Sequence, residues 1–186
     1  MKSRSHLGRL AAIASLCAIL SFTLRGGAEA EDQLKCATLL AFLQNARWAE
    51  ELAVNTPLTV GVVGRAAFIR LLHTSMEGKS VNGHPLRILE INGSIEPGCC
   101  QVLYFATDKS AEIKPVLQRV GAAHVLTIGE SDGFLAEGGA VNLFLLDGHM
   151  AFEVSLGALA RAGVEISSKL LRFGQIRDLG RARPAP

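Results

Sequence analysis

Apolar residues recur at intervals of three and four between Asp32 and Trp48, which is the pattern of an amphipathic helix that ends at the tryptophan. A β-branched run over residues 58–63 follows a proline and predicts a strand. Gly64 then predicts a turn. A second helix is predicted after it, because apolar residues fall four apart at Phe68, Leu72 and Met76.

Two dipeptides with strong turn preference predict hairpins. Asn82-Gly83 predicts the first, within residues 79–91, and Pro85 either places the second strand at a sheet edge or is its first residue. Asp147-Gly148 separates two apolar runs within residues 141–154 and predicts an antiparallel hairpin late in the chain.

Short apolar strands are predicted at 102–105 and 125–128, with a helix between them whose Pro115 lies in the first turn. A short helix is expected to end at Gly163, and a last helix to cover 168–176 with Leu170, Phe173 and Ile176 facing inward. Strands that alternate with helices indicate a parallel sheet. The predicted fold is α/β: a single compact domain with a mixed, mainly parallel sheet flanked by helices, and a C-terminal β-hairpin followed by a helix.

The first thirty residues have the pattern of a secretory signal peptide. A basic stretch precedes an uncharged apolar run over 10–24, and Ala28 and Ala30 give the small-residue pattern that signal peptidase requires. The run is shorter than the ~20 residues of a spanning helix, which disfavours the alternative of a membrane anchor. Leu16 before Cys17 argues against a lipoprotein. We therefore expect export, cleavage after Ala30, a domain over 31–180 and a frayed tail over 181–186.

Charge changes the picture once this segment is removed. The chain of 186 residues has 19 Lys plus Arg and 17 Asp plus Glu, a formal net charge of +2. Residues 1–30 contain four of the basic residues and one of the acidic residues, so 15 basic and 16 acidic residues remain, a formal −1. A near-neutral domain is suited to docking on another protein and argues against a nucleic-acid partner.

No motif for catalysis, metal or cofactor binding is found. Gly61 and Gly64 do not match the dinucleotide fingerprint, and Gly78-Lys79-Ser80 lacks the first glycine of a phosphate-binding loop. The histidines lack metal-ligand spacing. Glu130 and Asp132 bracket a loop, where carboxylates are usually solvated. We predict no catalytic residue, no metal ligand and no cofactor.

The expected mature chain keeps three cysteines, Cys36, Cys99 and Cys100. An odd number in an oxidising compartment leaves at least one thiol free or paired between chains. Cys36 is either a small buried apolar residue or a disulfide partner. We hypothesise that Cys99 or Cys100 forms a disulfide, with Cys36 or as a vicinal ring. A thiol oxidoreductase is the enzymatic alternative, but adjacent cysteines lack the two-residue spacer of the usual redox pair.

Several segments, which together span about residues 35–173, resemble the YfiR family. They are Lys35–Phe42 leading to Trp48, Gly78–Leu86, Cys100–Tyr104, Asp132–Phe134, Gly138-Gly139, Val141–Leu143, Asp147-Gly148, Phe152–Val154 and Ile166–Leu171. The resemblance implies a non-catalytic periplasmic regulator of Gram-negative bacteria with a compact α/β fold. Such a protein binds and restrains the periplasmic region of an inner-membrane signalling protein, a diguanylate cyclase in cyclic di-GMP signalling or a sensor kinase.

The resemblance also implies an outer-membrane lipoprotein as a second partner, intramolecular disulfides and a homodimer. The chain departs from the family in two places. Its late hairpin lacks the second cysteine pair, and Arg47-Trp48-Ala49 replaces the usual Glu-Trp-Pro. Positions that match the family pattern, and to which we assign structural or interaction roles, are Trp48, Gly139, Asn142, Asp147, Glu153, Ser168 and Lys169.

Two of these positions invite specific hypotheses. Glu153 pairs with Lys169 or Arg172, or all three are separate solvated charges. Asn142 is a structural hydrogen-bonding residue or a ligand group. The alternative function is a periplasmic small-molecule sensor that uses the crevice at the carboxyl ends of the strands, near Gly64, Thr107 and Gly129.

Overall fold

A computed structural model describes residues 27–50, 52–93, 95–96, 98–120 and 124–177. The chain divides into two compact units, Met1–Leu34 and Lys35–Pro186. In the first unit, residues 27–34 are described and are helical. The predicted signal sequence up to residue 26 and the predicted tail over 181–186 lie outside the described residues. None of the helices within the described ranges is long and apolar enough to cross a membrane.

The second unit alternates strands and helices along most of its length. Its elements are α1 (35–45), β1 (Ala46–Trp48), β2 (Leu58–Gly64), α2 (Ala66–Met76), β3 (Ser80–Val81), β4 (His84–Glu90), β5 (Val102–Ala106), α3 (Ser110–Val120), β6 (Leu126–Gly129), β7 (Val141–Leu146), β8 (His149–Val154), α4 (Leu156–Arg161), β9 (Val164–Ile166), α5 (Ser168–Leu171) and β10 (Gln175–Ile176).

Within the described residues, the main sheet has the strand order β10-β8-β7-β6-β5-β2-β4-β3, and β1 pairs with β9 in a separate antiparallel ribbon. The strands from β4 to β7 run parallel. Strand β8 is antiparallel to β7, and β3 is antiparallel to β4. The predicted α/β class with a mixed, mainly parallel sheet is therefore confirmed.

The central strands are buried on both faces, which explains their continuous apolar sequences. In β5, Val102 and Tyr104 belong to the larger core layer, which α1, α2 and α4 cover, whereas Leu103 and Phe105 belong to a second layer beneath α3. All four side chains have an exposed fraction of 0%. The sheet thus separates two apolar layers.

The two predicted hairpins form as expected. Asn82 and Gly83 have φ angles of 52° and 85°, and Asp147 and Gly148 have φ angles of 51° and 78°. Positive φ at both central residues is the requirement of a type I′ turn. Pro85 is the second residue of β4 and lies opposite β3, before the strand begins to pair with β2, so its missing N–H interrupts no bond to the central sheet.

Three local predictions are wrong. The first helix ends at residue 45, and Ala46 and Trp48 lie in β1, opposite Ile166 and Val164 of β9. Their spacing fits the apolar face of a helix, but apolar residues two apart also occupy one face of a short strand, as they do here. Pro115 is inside α3 and not in its first turn.

The last helix is the third correction. It covers only Ser168–Leu171, and the chain turns at Gly174 to enter β10. A Cβ atom at Gly174 would lie 2.0 Å from Cε2 of Phe152, so the backbone approaches that ring too closely for a side chain. Phe173 and Ile176, predicted to face inward, are 76% and 53% exposed.

Candidate functional site

Four large exposed apolar side chains lie on or next to the two strands that flank β8, with Leu146 opposite its first residue and Ile176 opposite its last. Leu145 and Leu146 lie at the end of β7, which pairs with one side of β8. Phe173 and Ile176 lie in and just before β10, which pairs with the other side. Their exposed fractions are 42%, 51%, 76% and 53% respectively. We call these four residues the apolar rim.

The register of β7 explains why its end is exposed. Gly129, the last residue of β6, pairs with Asn142, the second residue of β7. Residues 143–146 therefore continue beyond the last paired residue of β6, over about 13 Å at ~3.3 Å per residue. Leu143 and Phe152 at the base of this hairpin arm, residues 143–152, are still buried, whereas Leu145 and Leu146 near its tip are exposed.

A polar network fixes the base of this arm. Asn142 Nδ2 donates to Glu153 Oε1 at 3.3 Å, across the β7–β8 pair. Arg177 Nε donates to Glu153 Oε2 at 3.0 Å. Glu153 therefore pairs with Arg177, and the predicted pairing with Lys169 or Arg172 is corrected. Sequence spacing had favoured the last helix, but that helix ends early and β10 brings Arg177 alongside β8.

A second charged cluster lies at the carboxyl ends of the parallel strands. Lys35 Nζ lies 2.7 Å from Glu130 Oε2, and both side chains are about nine-tenths buried. The Tyr104 hydroxyl donates to the same oxygen at 3.3 Å, and an Arg65 Nη2 lies 3.8 Å from Oε1. Glu130 was predicted to be a solvated loop carboxylate, and that prediction is wrong.

The side chains of this charged cluster lie at the point where the strand order of the sheet reverses. The chain runs from β2 to β4 on one side and returns to β5 on the other, and ligands commonly bind at such a point. Here the described residues pack against one another. A Cβ at Gly64 would lie 2.2 Å from the Ala106 carbonyl oxygen, and a Cβ at Gly129 would lie 2.5 Å from the Phe134 ring. The Thr107 hydroxyl donates to Glu112 at 3.0 Å. This packing weakens the small-molecule alternative at that crevice.

The β1–β9 ribbon lies between two clefts of about 490 and 620 Å³, and Arg47 and Trp48 line both. Trp48 Nε1 is buried and has no hydrogen-bond partner within the described part of the chain. Because the nitrogen is inaccessible, a ligand in either cleft would need the indole ring to move before it could accept that hydrogen bond.

The three cysteines are distributed over both core layers. Cys36 packs in the larger layer, and Cys100 packs in the second layer with Cys99 at its margin. The sheet lies between Cys36 and the other two, so a disulfide to Cys36 would require rearrangement. The two adjacent Sγ atoms are 3.8 Å apart. A disulfide at these cysteines stays a prediction.

The residues chosen from the family resemblance do not form one site. Asn142 and Glu153 are brought together, and Asp147 occupies the hairpin turn. Gly139 packs under Phe134. Ser168 and Lys169 lie in α5, whose Leu171 lines the same cleft as Trp48. Sequence reasoning assigned no role to the side chains of Lys35, Arg65 and Arg177, and it took Glu130 to be a solvated carboxylate. Arg65 and Glu130 directly follow parallel strands, which is the signal that could have identified them.

Comparison with known proteins supports the fold and gives a family. No curated protein matches the chain significantly. The crystal structure of a conserved domain protein from Vibrio cholerae O1 biovar El Tor matches with a TM-score of 0.50 and 12% identity, over 64% of this chain and 54% of that one. The ABC domain from Streptococcus pneumonia in complex with L-Trp has a TM-score of 0.49 and 9% identity, over 64% and 55%.

This chain spans about half the length of those solved structures. At such identities the first likeness shows the α/β fold alone, and the second supports no conclusion. The family model is more informative, because the YfiR/HmsC-like family matches residues 32–175, which is most of the chain. The protein therefore belongs to the YfiR/HmsC-like family, whose members are periplasmic, non-catalytic regulators of diguanylate cyclase.

Proposed function

We propose that this protein binds the periplasmic region of an inner-membrane diguanylate cyclase and restrains its synthesis of cyclic di-GMP. Family membership supports this class of function. The observation that carries the proposal for this chain is the apolar rim, which offers a surface for a protein partner.

The four rim residues share one edge region of the main sheet and are spread along the length of β8. Exposed large apolar residues that are concentrated at one edge indicate an interaction site. All four rim residues belong to the two strands that flank β8 or to the turn before one of them. Phe173 is the strongest anchor, since aromatic residues dominate binding energy at interfaces. Complete burial of a side chain of this size contributes about 1.5–3 kcal/mol.

The arm is also suited to present this surface. Leu145 and Leu146 extend past the paired part of β6 and are exposed, so a partner can approach them without meeting that strand. The Asn142–Glu153–Arg177 network holds the base of the hairpin and β10 together. A rigid base reduces the conformational entropy lost on binding. An outer-membrane lipoprotein that covered the same rim would compete with the cyclase and release it.

The experiment is capture of a cyclase by the full-length gene product. A cyclase that copurifies with this protein from detergent-solubilised membranes of the native cells is identified by mass spectrometry, and its periplasmic region is then tested for binding by itself. We expect Phe173→Asp and Leu146→Asp to weaken binding by about tenfold or more, since loss of 1.4 kcal/mol gives a factor of ten. Val54→Asp is the matched control. Val54 is 87% exposed but precedes β2, outside the rim.

Cellular cyclic di-GMP provides the second readout. Deletion of the gene should raise it, wild-type protein should restore it, and the Phe173→Asp protein should not. If the wild-type protein captures no cyclase, or captures a sensor kinase and leaves cyclic di-GMP unchanged, the proposed function is wrong. If Val54→Asp and Phe173→Asp lose binding equally, the rim is not the docking surface.

A further inference from the structure

Two thiols face each other at the amino end of β5. Cys99 and Cys100 are adjacent in sequence, and their Sγ atoms lie 3.8 Å apart. Both are free thiols. Cys99 is half-buried, and Cys100 has an exposed fraction of 2%. A ligand can therefore reach the pair from the Cys99 side and close over Cys100.

The surroundings of Cys100 are apolar. Its Sγ, a Cδ1 of Leu103 and a Cγ1 of Ile91 all lie within 3.0–3.3 Å of the position that a Cβ at Gly61 would occupy. Burial, and to a lesser extent the neighbouring Cys99, raises the pKa of the Cys100 thiol to about 12. The thiol is therefore protonated at neutral pH, and a ligand that leaves thiolate charge in this pocket pays a desolvation penalty.

The number of donors narrows the ligand class further. The described part of the chain contains no group of three or more His, Cys, Asp and Glu residues that could hold a metal ion. Zinc sites in proteins use three or four such ligands. The ligand that suits this pair needs two sulfur atoms and forms a neutral product with them.

We propose that Cys99 and Cys100 form a dithiol site that chelates trivalent arsenic, as arsenite or as a monosubstituted arsenical. Trivalent arsenic carries a lone pair and is pyramidal, so its two bonds to sulfur meet at less than the tetrahedral angle; with bonds of ~2.3 Å, the length of a zinc–sulfur bond, they span about 3.5 Å. The Sγ atoms are 3.8 Å apart, so closing the chelate draws them together by only a few tenths of an ångström. This site goes beyond the regulatory function and does not depend on it.

The reaction with a monosubstituted arsenical is a condensation without redox change. Both S–H bonds and the arsenic–oxygen bond of R–As=O break, and two As–S bonds form. The two protons leave with the oxygen as one water molecule, and arsenic stays trivalent. The product R–As(SCys)₂ is neutral, which matches the apolar surroundings of Cys100.

The test uses phenylarsine oxide with protein purified from the full-length gene product and reduced with a phosphine. Intact mass should show one phenylarsenic group added and two hydrogens lost per chain. Excess 2,3-dimercaptopropanol should remove it. Cys99→Ser and Cys100→Ser should each weaken binding by about 100-fold or more, because a one-sulfur adduct loses the intramolecular second bond. Cys36→Ser is the matched control and should bind like the wild type.

Folding is checked separately in each variant by the fluorescence of Trp48, the only tryptophan. Cys99→Ser is the primary variant because Cys99 is half-buried and its replacement leaves the core layer filled. Unchanged affinity in folded Cys99→Ser would overturn the proposal, as would loss of the adduct in Cys36→Ser. Failure of the reduced wild type to form the adduct would also overturn it. None of these results bears on capture of the cyclase.

Discussion

Gly139 should tolerate no side chain, because Phe134 already fills the space beside it. A Cβ at Gly139 would lie 2.1 and 2.2 Å from Cε1 and Cδ1 of the Phe134 ring, far inside the ~3.5–4.0 Å of normal carbon contacts. The Phe134 ring has no room to move aside. On its other side a Cβ at Gly129 would lie 2.5 Å from a Phe134 ring carbon, and the centroids of the Phe134 and Phe105 rings are 5.4 Å apart.

Gly139→Ala should therefore lower the free energy of unfolding by about 1–3 kcal/mol, the usual cost of overpacking a core. The measurement is urea unfolding followed by Trp48 fluorescence. Phe134→Leu in the same chain should recover part of the loss, since the smaller side chain makes room for the new methyl group. The double variant should then be more stable than the sum of the two single effects predicts.

Gly157→Ala is the matched control. Gly157 is in α4, and the nearest atom to an added Cβ is an Arg161 side-chain nitrogen at 3.6 Å. Alanine is a better helix former than glycine by up to ~1 kcal/mol, so this variant should be neutral or stabilised. If Gly139→Ala unfolds within about 0.5 kcal/mol of the wild type, the close packing described for Phe134 is incorrect.

Three further measurements test other parts of the structure. Trp48→Phe should change the free energy of unfolding, measured by circular dichroism, by less than about 1 kcal/mol. The reason is that it removes a buried N–H that has no hydrogen-bond partner in the described chain. A larger loss of stability would mean that the indole N–H does donate a hydrogen bond in the protein. Arg177→Gln should lower the free energy of unfolding by less than about 1 kcal/mol, seen as a small drop in melting temperature, because Arg177 is 56% exposed. Lys169→Gln should leave the melting temperature unchanged. If only Lys169→Gln lowered it, Glu153 would pair with Lys169, as the sequence had suggested. The raised pKa of Cys100 should make wild-type stability fall between pH 9.0 and about 12, because the unfolded chain loses the thiol proton first, and Cys100→Ala should remove that slope.

Much of the fold could be predicted because its signals are local. The two hairpin turns require positive φ at Asn82-Gly83 and Asp147-Gly148, and those residues favour it without tertiary help. The buried strands are continuous apolar runs. Ribbon β1–β9 could not be predicted in this way, since each strand has three residues and its pairing joins positions over a hundred residues apart. The entry into β10 brings Gly174 against the Phe152 ring, which is likewise a tertiary contact that the local sequence does not reveal.

The candidate site was harder to predict than the fold for the same reason. Glu153 could be identified from its alternation between Phe152 and Val154, but its partner Arg177 is reached only through β10. Lys35 and Glu130 are far apart in sequence, and α1 brings the lysine to the end of β6. Pairing across elements depends on packing, which spacing along the chain does not encode.

The two proposed surfaces lie at opposite ends of the sheet, so their tests are independent. Cys99 and Cys100 precede β5 at the amino ends of the parallel strands, whereas the hairpin arm projects beyond their carboxyl ends. Strands β6 and β7 separate β5 from β8. We therefore expect Leu146→Asp to bind the arsenical normally and Cys99→Ser to capture the cyclase normally. If the arsenical released the cyclase from the wild type but not from Cys99→Ser, the central strands would couple the two sites, and their independence would be refuted.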